Sequence, residues 1–166
     1  MPYAYYAKLK ARQKATYRRS DEIAALQLPV GPTLQPLAAA LEAALATEHR
    51  ATVERAAQTL GTALLERFGT APVRVKVLSR RPSTSASELH GLYEPGEPRS
   101  LAVITVWMRT AQHKRVVAFR TFLRTLLHEI CHHLDYELLK LDDSFHTEGF
   151  FKRESSLFKQ LVASSD

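Results

Sequence analysis

The amphipathic segment at residues 125–141 constrains the fold of this chain more than any other stretch. At 100° per residue, its apolar residues fall on one broad stripe and its polar residues cluster on a different face. The stripe comprises Leu123, Leu127, Ile130, Leu134, Leu138 and Leu141. The polar cluster comprises His128, Glu129, His132, Asp135 and Tyr136. The pattern predicts a long helix that buries the leucines and turns its histidines away from the core.

Two of those histidines belong to an H-E-x-x-H motif at residues 128–132. Because His128 and His132 are four residues apart, they lie one above the other on the same face of a helix. Two neutral imidazoles in that arrangement can both reach one Zn²⁺ ion at about 2.0–2.1 Å. Glu129 lies about 100° further round the helix, where it can reach a metal-bound water without being a ligand. An exposed His-Glu pair is also ordinary helix surface, but its separation from the leucines favours a zinc site with Glu129 as general base.

A third ligand is expected from the segment that follows the helix, since a catalytic zinc usually takes three protein ligands and one open position. His146 comes 14 residues after His132, beyond the predicted end of the helix, and a chain that reverses there can bring it back. Imidazole is the more usual zinc donor, so His146 is the predicted third ligand. Glu154 and Glu148 remain alternatives at this stage.

The tetrahedral oxyanion of peptide hydrolysis needs a donor in addition to the metal. Tyr136 is the predicted donor, because it lies one turn beyond His132 on the same face. Asp135 can orient a ligand imidazole as a hydrogen-bond acceptor. Other side chains are candidates for the donor role, although a structural role is the simpler interpretation of each: His133, Arg153 and His90.

The net charge of +6 is concentrated in a basic N-terminal arm, residues 1–20, which contains six basic residues and no acidic one. Four tyrosines are interleaved with those cations: Tyr3, Tyr5, Tyr6 and Tyr17. Phosphate attraction combined with base stacking would suit DNA, and the cations alone would suit another polyanion. The simpler interpretation, which we favour, is an amphipathic helix whose tyrosines dock on the domain.

The remaining residues, 21–166, are expected to form a single domain, with the metal-site half at 73–158. Cys131 is the only cysteine, so an internal disulfide and an all-cysteine zinc ribbon within this chain are excluded. Its position at the core edge of the helix predicts packing rather than metal binding. A single cysteine and the absence of a long apolar run predict a cytoplasmic protein without a membrane span.

Hydrophobic periodicity predicts an α+β fold with N-terminal helices, a small three-stranded sheet and a C-terminal third-ligand segment. Helices are predicted at 20–28, 33–46, 49–68 and 116–141. Strands are predicted at 72–78, 88–93 and 101–108. The last strand is apolar on both faces and is expected at the centre of the sheet. A substrate peptide could add to the sheet edge near residues 89–93.

The sequence H-E-I-C-H-H at 128–133, followed by F-H-T-E-G-F at 145–150, resembles the SprT-like (Spartan-type) zinc metallopeptidase domain, an H-E-x-x-H zincin. The resemblance covers residues 73–158. It implies a minimal zincin fold, zinc held by His128, His132 and His146, and Glu129 as the general base. It also implies proteolysis of DNA-bound or DNA-crosslinked proteins. Thr147 stands where the family has glycine.

Overall fold

The computed structural model describes residues 2–80, 91–110 and 115–162. A short 3-10 helix at Ala4–Lys8 precedes five α-helices and three strands. The helices are α1 (Ala11–Glu22), α2 (Gln35–Ala46), α3 (Arg50–Phe68), α4 (Phe119–Glu137) and α5 (Glu148–Leu161). The strands are β1 (Val73–Leu78), β2 (Gly91–Glu94) and β3 (Ala102–Trp107). The predicted α+β class and the small three-stranded sheet are confirmed.

The sheet has the order β1-β3-β2, so β3 is central, as its two apolar faces predict. β1 pairs with β3 in parallel, with Val75 opposite Ile104. β2 pairs with β3 antiparallel, with Tyr93 opposite Ile104. α3 packs on β1, and α4 packs on β2 and β3. Both helices lie on the same face of the sheet, since Gly61 of α3 faces Val75 and Gly91 of β2 faces Glu129 of α4. β2 is therefore the edge strand next to the helix that carries the H-E-x-x-H motif.

The helix predicted at 20–28 is wrong, because the helix of this region, α1, ends at Glu22. The following chain is held in a non-helical conformation by polar side chains of α5. The carbonyl of Ile23 accepts a hydrogen bond from Arg153 at 2.7 Å, and the carbonyl of Leu26 accepts one from Gln160 at 2.8 Å. These side chains provide the backbone with partners that a helix would otherwise supply.

The long helix α4 is shorter than the predicted 116–141. It begins at Phe119 because Val116 forms a β-bridge with Arg109, which keeps the preceding residues extended. After its end at Glu137, Lys140 adopts a left-handed conformation with φ of 55°. This turn reverses the chain and returns the C-terminal segment towards α4. The reversal is the event that the third-ligand prediction required.

α5 was not predicted, although the tail it occupies was expected to carry the third ligand. Thr147 is its N-cap and accepts a hydrogen bond from the backbone N–H of Phe150 at 2.9 Å. Thr147 therefore caps the start of a helix. The apolar face of α5 is buried through Phe150, Leu157 and Leu161.

The N-terminal arm packs on the domain through its tyrosines. The Tyr17 side chain is fully buried, and its ring lies against Tyr5, Tyr6 and Phe145, with centroid distances of 5.2–5.9 Å. Its hydroxyl accepts a hydrogen bond from the backbone N–H of Tyr3 at 2.8 Å. This packing agrees with the favoured interpretation of docked tyrosines, and it leaves the buried Tyr17 ring unable to stack on a base.

Some expectations fall on positions outside the described ranges. His90 and the start of the strand predicted at 88–93 are among them. Within the described ranges, no helix has the length and hydropathy needed to cross a bilayer.

The contact between α1 and α5 gives a test of the fold. A Cβ atom on Gly149 would lie 2.5 Å from the carbonyl oxygen of Ser20 and 2.6 Å from that of Asp21. Because both neighbours are backbone atoms, we expect Gly149→Ala to lower the free energy of unfolding by about 1–3 kcal/mol. Urea denaturation of purified protein measures this loss.

The matched control is Gly61→Ala in the interior of α3, where the nearest atom to the new Cβ is a side-chain carbon of Val75 at 3.4 Å. That substitution is expected to leave stability unchanged or raise it by up to about 1 kcal/mol, since alanine favours helix more than glycine does. Equal effects of the two substitutions would contradict the close contact between α1 and α5.

Candidate metal centre

Three imidazoles converge on one point at the surface of α4. The Nε2 atom of His146 lies 3.1 Å from Nε2 of His128 and 3.0 Å from Nε2 of His132. One ligand atom from each ring lies within 4.8 Å of the others. Nitrogen ligands of a tetrahedral zinc ion stand about 3.3 Å apart, given bonds of about 2.0–2.1 Å. The three histidines are therefore close enough to bind one metal ion.

The hydrogen bonds behind two of the rings determine which nitrogen carries the proton. His128 Nδ1 lies 2.8 Å from Oε1 of Glu154, and His132 Nδ1 lies 2.7 Å from the hydroxyl oxygen of Ser144. The Ser144 hydroxyl donates to Oδ2 of Asp135 at 2.7 Å, so its oxygen accepts from His132. A carboxylate and an already donating hydroxyl both require a proton on Nδ1. Both Nε2 atoms are therefore left with free lone pairs.

The convergence of these lone pairs fits a cation. His128 and His132 aim unprotonated Nε2 atoms at the same point, and a proton on Nε2 of His146 can be directed well at only one of them. A metal ion at that point would accept all three lone pairs at once. The arrangement is that of a metal site in which Nε2 binds the ion while Nδ1–H donates a hydrogen bond that orients the ring.

An aromatic side chain from α5 holds the three rings in place. Phe150 is fully buried, and its ring centroid lies 5.0 Å from that of His128, 4.7 Å from that of His132 and 5.3 Å from that of His146. The neighbouring Phe151 is 39% exposed and contacts the His128 and His146 rings from the surface side. Because Phe150 restricts the rings, the convergence is a property of the packed fold.

Two of the imidazoles are kept neutral by their surroundings. Burial, together with the neighbouring His128 and His146, lowers the pKa of His132 to about 3. Burial and His128 also lower the pKa of His146. A neutral imidazole is the form that binds a metal, so these two ligands need not lose a proton first at neutral pH.

Glu129 is placed as a base beside the three histidines. It is 5% exposed, and its pKa is raised to about 7 as the net effect of burial, which raises it, His128, which lowers it, and Glu154, which raises it. The edge strand lies directly against it, since a Cβ on Gly91 would be 3.1 Å from Oε2 of Glu129. A carboxyl group with a pKa near neutrality is suited to accept and return a proton.

The alternative ligands Glu154 and Glu148 lie elsewhere. Glu154 reaches Nδ1 of His128, on the far side of the ring from the convergence point. Glu148 is half-buried and forms an ion pair with Lys152 at 3.3 Å. In this structure, the converging set contains His146 and neither carboxylate.

Tyr136, His133 and Arg153 are each held by interactions within the protein. The Tyr136 hydroxyl donates to Oδ1 of Asp143 at 3.3 Å. His133 is held at both nitrogens, with Nδ1 2.8 Å from the Tyr93 hydroxyl and Nε2 2.8 Å from the carbonyl oxygen of Ala71. Arg153 is fully buried, which leaves it no access to a substrate. The catalytic role of Tyr136 stays a prediction.

The Asp135 carboxylate supports the His132 imidazole indirectly, through Ser144, which was not predicted from the sequence. Ser144 lies between the Asp135 carboxylate and the His132 ring. The burial of Cys131 confirms that it packs in the core, where burial raises the pKa of its thiol well above its usual value. Ser144 and Phe150 carried only weak sequence signals, namely their closeness to His146.

Comparisons of this chain with protein-family models, with curated proteins and with solved structures give no match. The resemblance to the SprT-like domain therefore remains a prediction from residues 128–133 and 145–150.

The lowered pKa of His132 predicts how stability of the metal-free protein depends on pH. Between its ordinary value of 6.5 and about 3, the unfolded chain binds a proton at this position that the folded chain does not. Stability should therefore fall as the pH falls through that window. We expect His132→Gln to reduce this loss by more than about 1 kcal/mol in urea unfolding at pH 6.5, 5 and 4.

The control for this experiment is His49→Gln, which removes an exposed histidine at the start of α3. It is expected to keep the wild-type pH dependence. If His132→Gln and wild type lose the same stability on acidification, the His132 ring is not buried as a neutral base.

Proposed function

We propose that this chain is a zinc metallopeptidase of the SprT-like, minimal-zincin type that hydrolyses peptide bonds. The observation that carries this proposal is the convergence of three imidazoles next to a buried glutamate, with Nε2 of His146 3.0–3.1 Å from Nε2 of both His128 and His132. The proposed ligand His128 and the proposed base Glu129 are adjacent in sequence, so α4 supplies both a ligand and the base.

Zinc is the proposed metal because three neutral imidazoles form a donor set that suits it. Such a three-ligand site leaves a position for water or substrate, which is typical of catalytic rather than structural zinc. The proposed ligand atoms are Nε2 of His128, His132 and His146.

Glu129 is the proposed general base. When bound, zinc lowers the pKa of a coordinated water and polarises the scissile carbonyl. Glu129 would accept the proton of the attacking water and deliver it to the amine that leaves. Its raised pKa supports both steps, because a carboxyl group near pKa 7 is ready to take up and release a proton near neutral pH.

Tyr136 is the proposed second donor to the oxyanion. Its ring stacks on Tyr93, with centroids 6.3 Å apart, and Tyr93 stacks in turn on His132 at 6.3 Å. This stack places both tyrosines on one side of the metal ligands. To donate to a substrate, the Tyr136 hydroxyl would exchange its present partner Asp143 for the oxyanion.

A protein or peptide in an extended conformation is the proposed substrate, added to the edge of β2. Among the residues that the structure describes, β2 pairs with β3 alone. Leu92 is 40% exposed on this strand, and Gly91 brings the backbone against Glu129. A peptide paired with this edge would therefore run close to the proposed base.

Contact with DNA or another polyanion near that substrate is a proposal that rests on the cations of the arm. Lys8, Lys10 and Arg18 are exposed, whereas Arg12 forms an ion pair with Asp142 at 3.1 Å. The exposed cations can attract phosphates even though the tyrosines are packed. The proposed location is the cytoplasm.

The test pairs metal content with cleavage. Purified wild type should hold one zinc per chain and cleave an unfolded protein such as casein, measured with and without added DNA. Glu129→Gln is expected to keep the zinc and lower cleavage by more than about 10²-fold, since it removes the general base. His146→Ala is expected to lose both. Elemental analysis and a fluorescent cleavage assay give the two readouts.

Glu148→Gln is the matched control, because it makes the same chemical change at a half-buried position outside the converging set and should keep zinc and cleavage. Cleavage that survives Glu129→Gln would contradict the assignment of the base. Zinc without any cleavage, combined with a large fall in melting temperature on chelation, would instead indicate a metal-stabilised binding protein.

A further inference from the structure

A continuous series of hydrogen bonds joins the end of α1 to the ring of His132. Arg153 on α5 and Asp135 on α4 form an ion pair at 3.0 Å, and both side chains are fully buried. A buried ion pair does not guarantee stability, and it is costly unless its remaining atoms are also hydrogen-bonded. The hydrogen-bond partners of the other guanidinium nitrogen and of the second carboxylate oxygen show which parts of the fold the ion pair connects.

The arginine is fixed by α1 and the residue that follows it. Its Nη1 donates to the carbonyl oxygens of Ser20 and Ile23, the latter at 2.7 Å. Its Nη2 donates to the hydroxyl of Ser20 at 3.0 Å and to Oδ1 of Asp135 at 3.0 Å. The planar guanidinium thus has several acceptors in a fixed arrangement and holds the Asp135 carboxylate in one orientation.

The oriented Asp135 carboxylate determines the hydrogen bond that Ser144 makes with the proposed metal ligand His132. Oδ2 of Asp135 accepts from the Ser144 hydroxyl at 2.7 Å, and the oxygen of Ser144 accepts from Nδ1 of His132 at 2.7 Å. Ser144 has a single hydrogen to give. Because Asp135 takes it, the serine can only accept from the imidazole.

We propose that Ser144, oriented by the Asp135–Arg153 pair, is a positioning residue that sets the tautomer and direction of His132 for metal binding. This inference rests on the proposed metal site, but not on peptidase activity. Without the hydroxyl, the Nδ1–H of the ring loses its acceptor, and the tautomer protonated on Nε2 becomes accessible. That tautomer cannot bind a metal through Nε2.

His128 and His132 differ in the group that accepts the hydrogen bond from Nδ1–H. His128 is held by the Glu154 carboxylate directly, at 2.8 Å. His132 reaches a carboxylate only through a neutral hydroxyl, and that carboxylate is anchored by an arginine from another helix. The position of His132 therefore depends on the packing of α1, α4 and α5 together, whereas that of His128 depends on α4 and α5.

Ser144→Ala tests the proposal, with the zinc dissociation constant as the readout in competition with a chromogenic chelator. Loss of a hydrogen-bond partner behind a metal-ligating histidine typically lowers metal affinity by about 10–100-fold, and we expect a loss in that range. Ser144→Thr retains a hydroxyl and is expected to bind zinc within about threefold of wild type. Ser156→Ala is the matched control, since its hydroxyl donates to the carbonyl of Leu26 at 3.2 Å.

A second readout follows the tautomer itself. In long-range ¹H–¹⁵N spectra of the metal-free protein, wild-type His132 should be protonated on Nδ1, whereas Ser144→Ala should show a mixture of the two tautomers. A merely destabilising substitution would not change the tautomer of one ring. Circular dichroism confirms that each variant is folded.

The outcomes separate this inference from the proposed function. Ser144→Ala with wild-type zinc affinity and an unchanged tautomer would overturn the positioning role, whatever the activity. Zinc binding that weakens as expected in a protein that cleaves nothing would support the positioning role and contradict the peptidase. A wild type that binds no zinc would overturn both.

Discussion

The approach of His146 Nε2 to within 3.0–3.1 Å of Nε2 of both His128 and His132 is the contact that the proposed chemistry needs and that the packing of α5 on α4 produces. Three lone pairs do not converge in this way unless other residues hold the rings, and these supports come from α5 and from the turn after α4. Glu154 of α5 holds His128, the turn after α4 supplies Ser144 for His132, and Phe150 packs against all three rings. The docking of α5 on α4 is therefore what assembles the site.

The arm at residues 1–20 contributes to that docking as well as to the charge of the protein. Its helix ends where the carbonyls of Ser20 and Ile23 accept from the buried Arg153. Deletion of residues 1–20 would remove Ser20, and the buried Arg153 guanidinium would lose two of its hydrogen-bond acceptors, which is strongly unfavourable. Any contribution of the arm to polyanion binding is therefore better studied by neutralising the exposed Lys8 and Lys10 than by deletion, because only the first change leaves the interior intact.

The parts of this architecture that depend on local spacing could be predicted from sequence. The four-residue separation of His128 and His132 places both on one face of any helix, and the alternation of β1 identified a strand. The imidazole chemistry of His146 pointed to it over Glu148 and Glu154. The bounds of α1 and α4 could not be predicted, since they depend on distant partners such as Arg153 and on the bridge of Val116 to Arg109. Ser144 was missed for the same reason: its role appears only when Asp135 is placed beside it.

X-ray absorption spectroscopy at the zinc edge of the loaded protein measures which atoms coordinate the ion. We expect three imidazole nitrogens and one further nitrogen or oxygen at about 2.0–2.1 Å, with no sulfur scatterer, because Cys131 is buried in the core. In His146→Ala, the number of imidazole scatterers should fall to two or the zinc should be lost. A spectrum with a zinc–sulfur distance, or one unchanged by His146→Ala, would contradict the site described above.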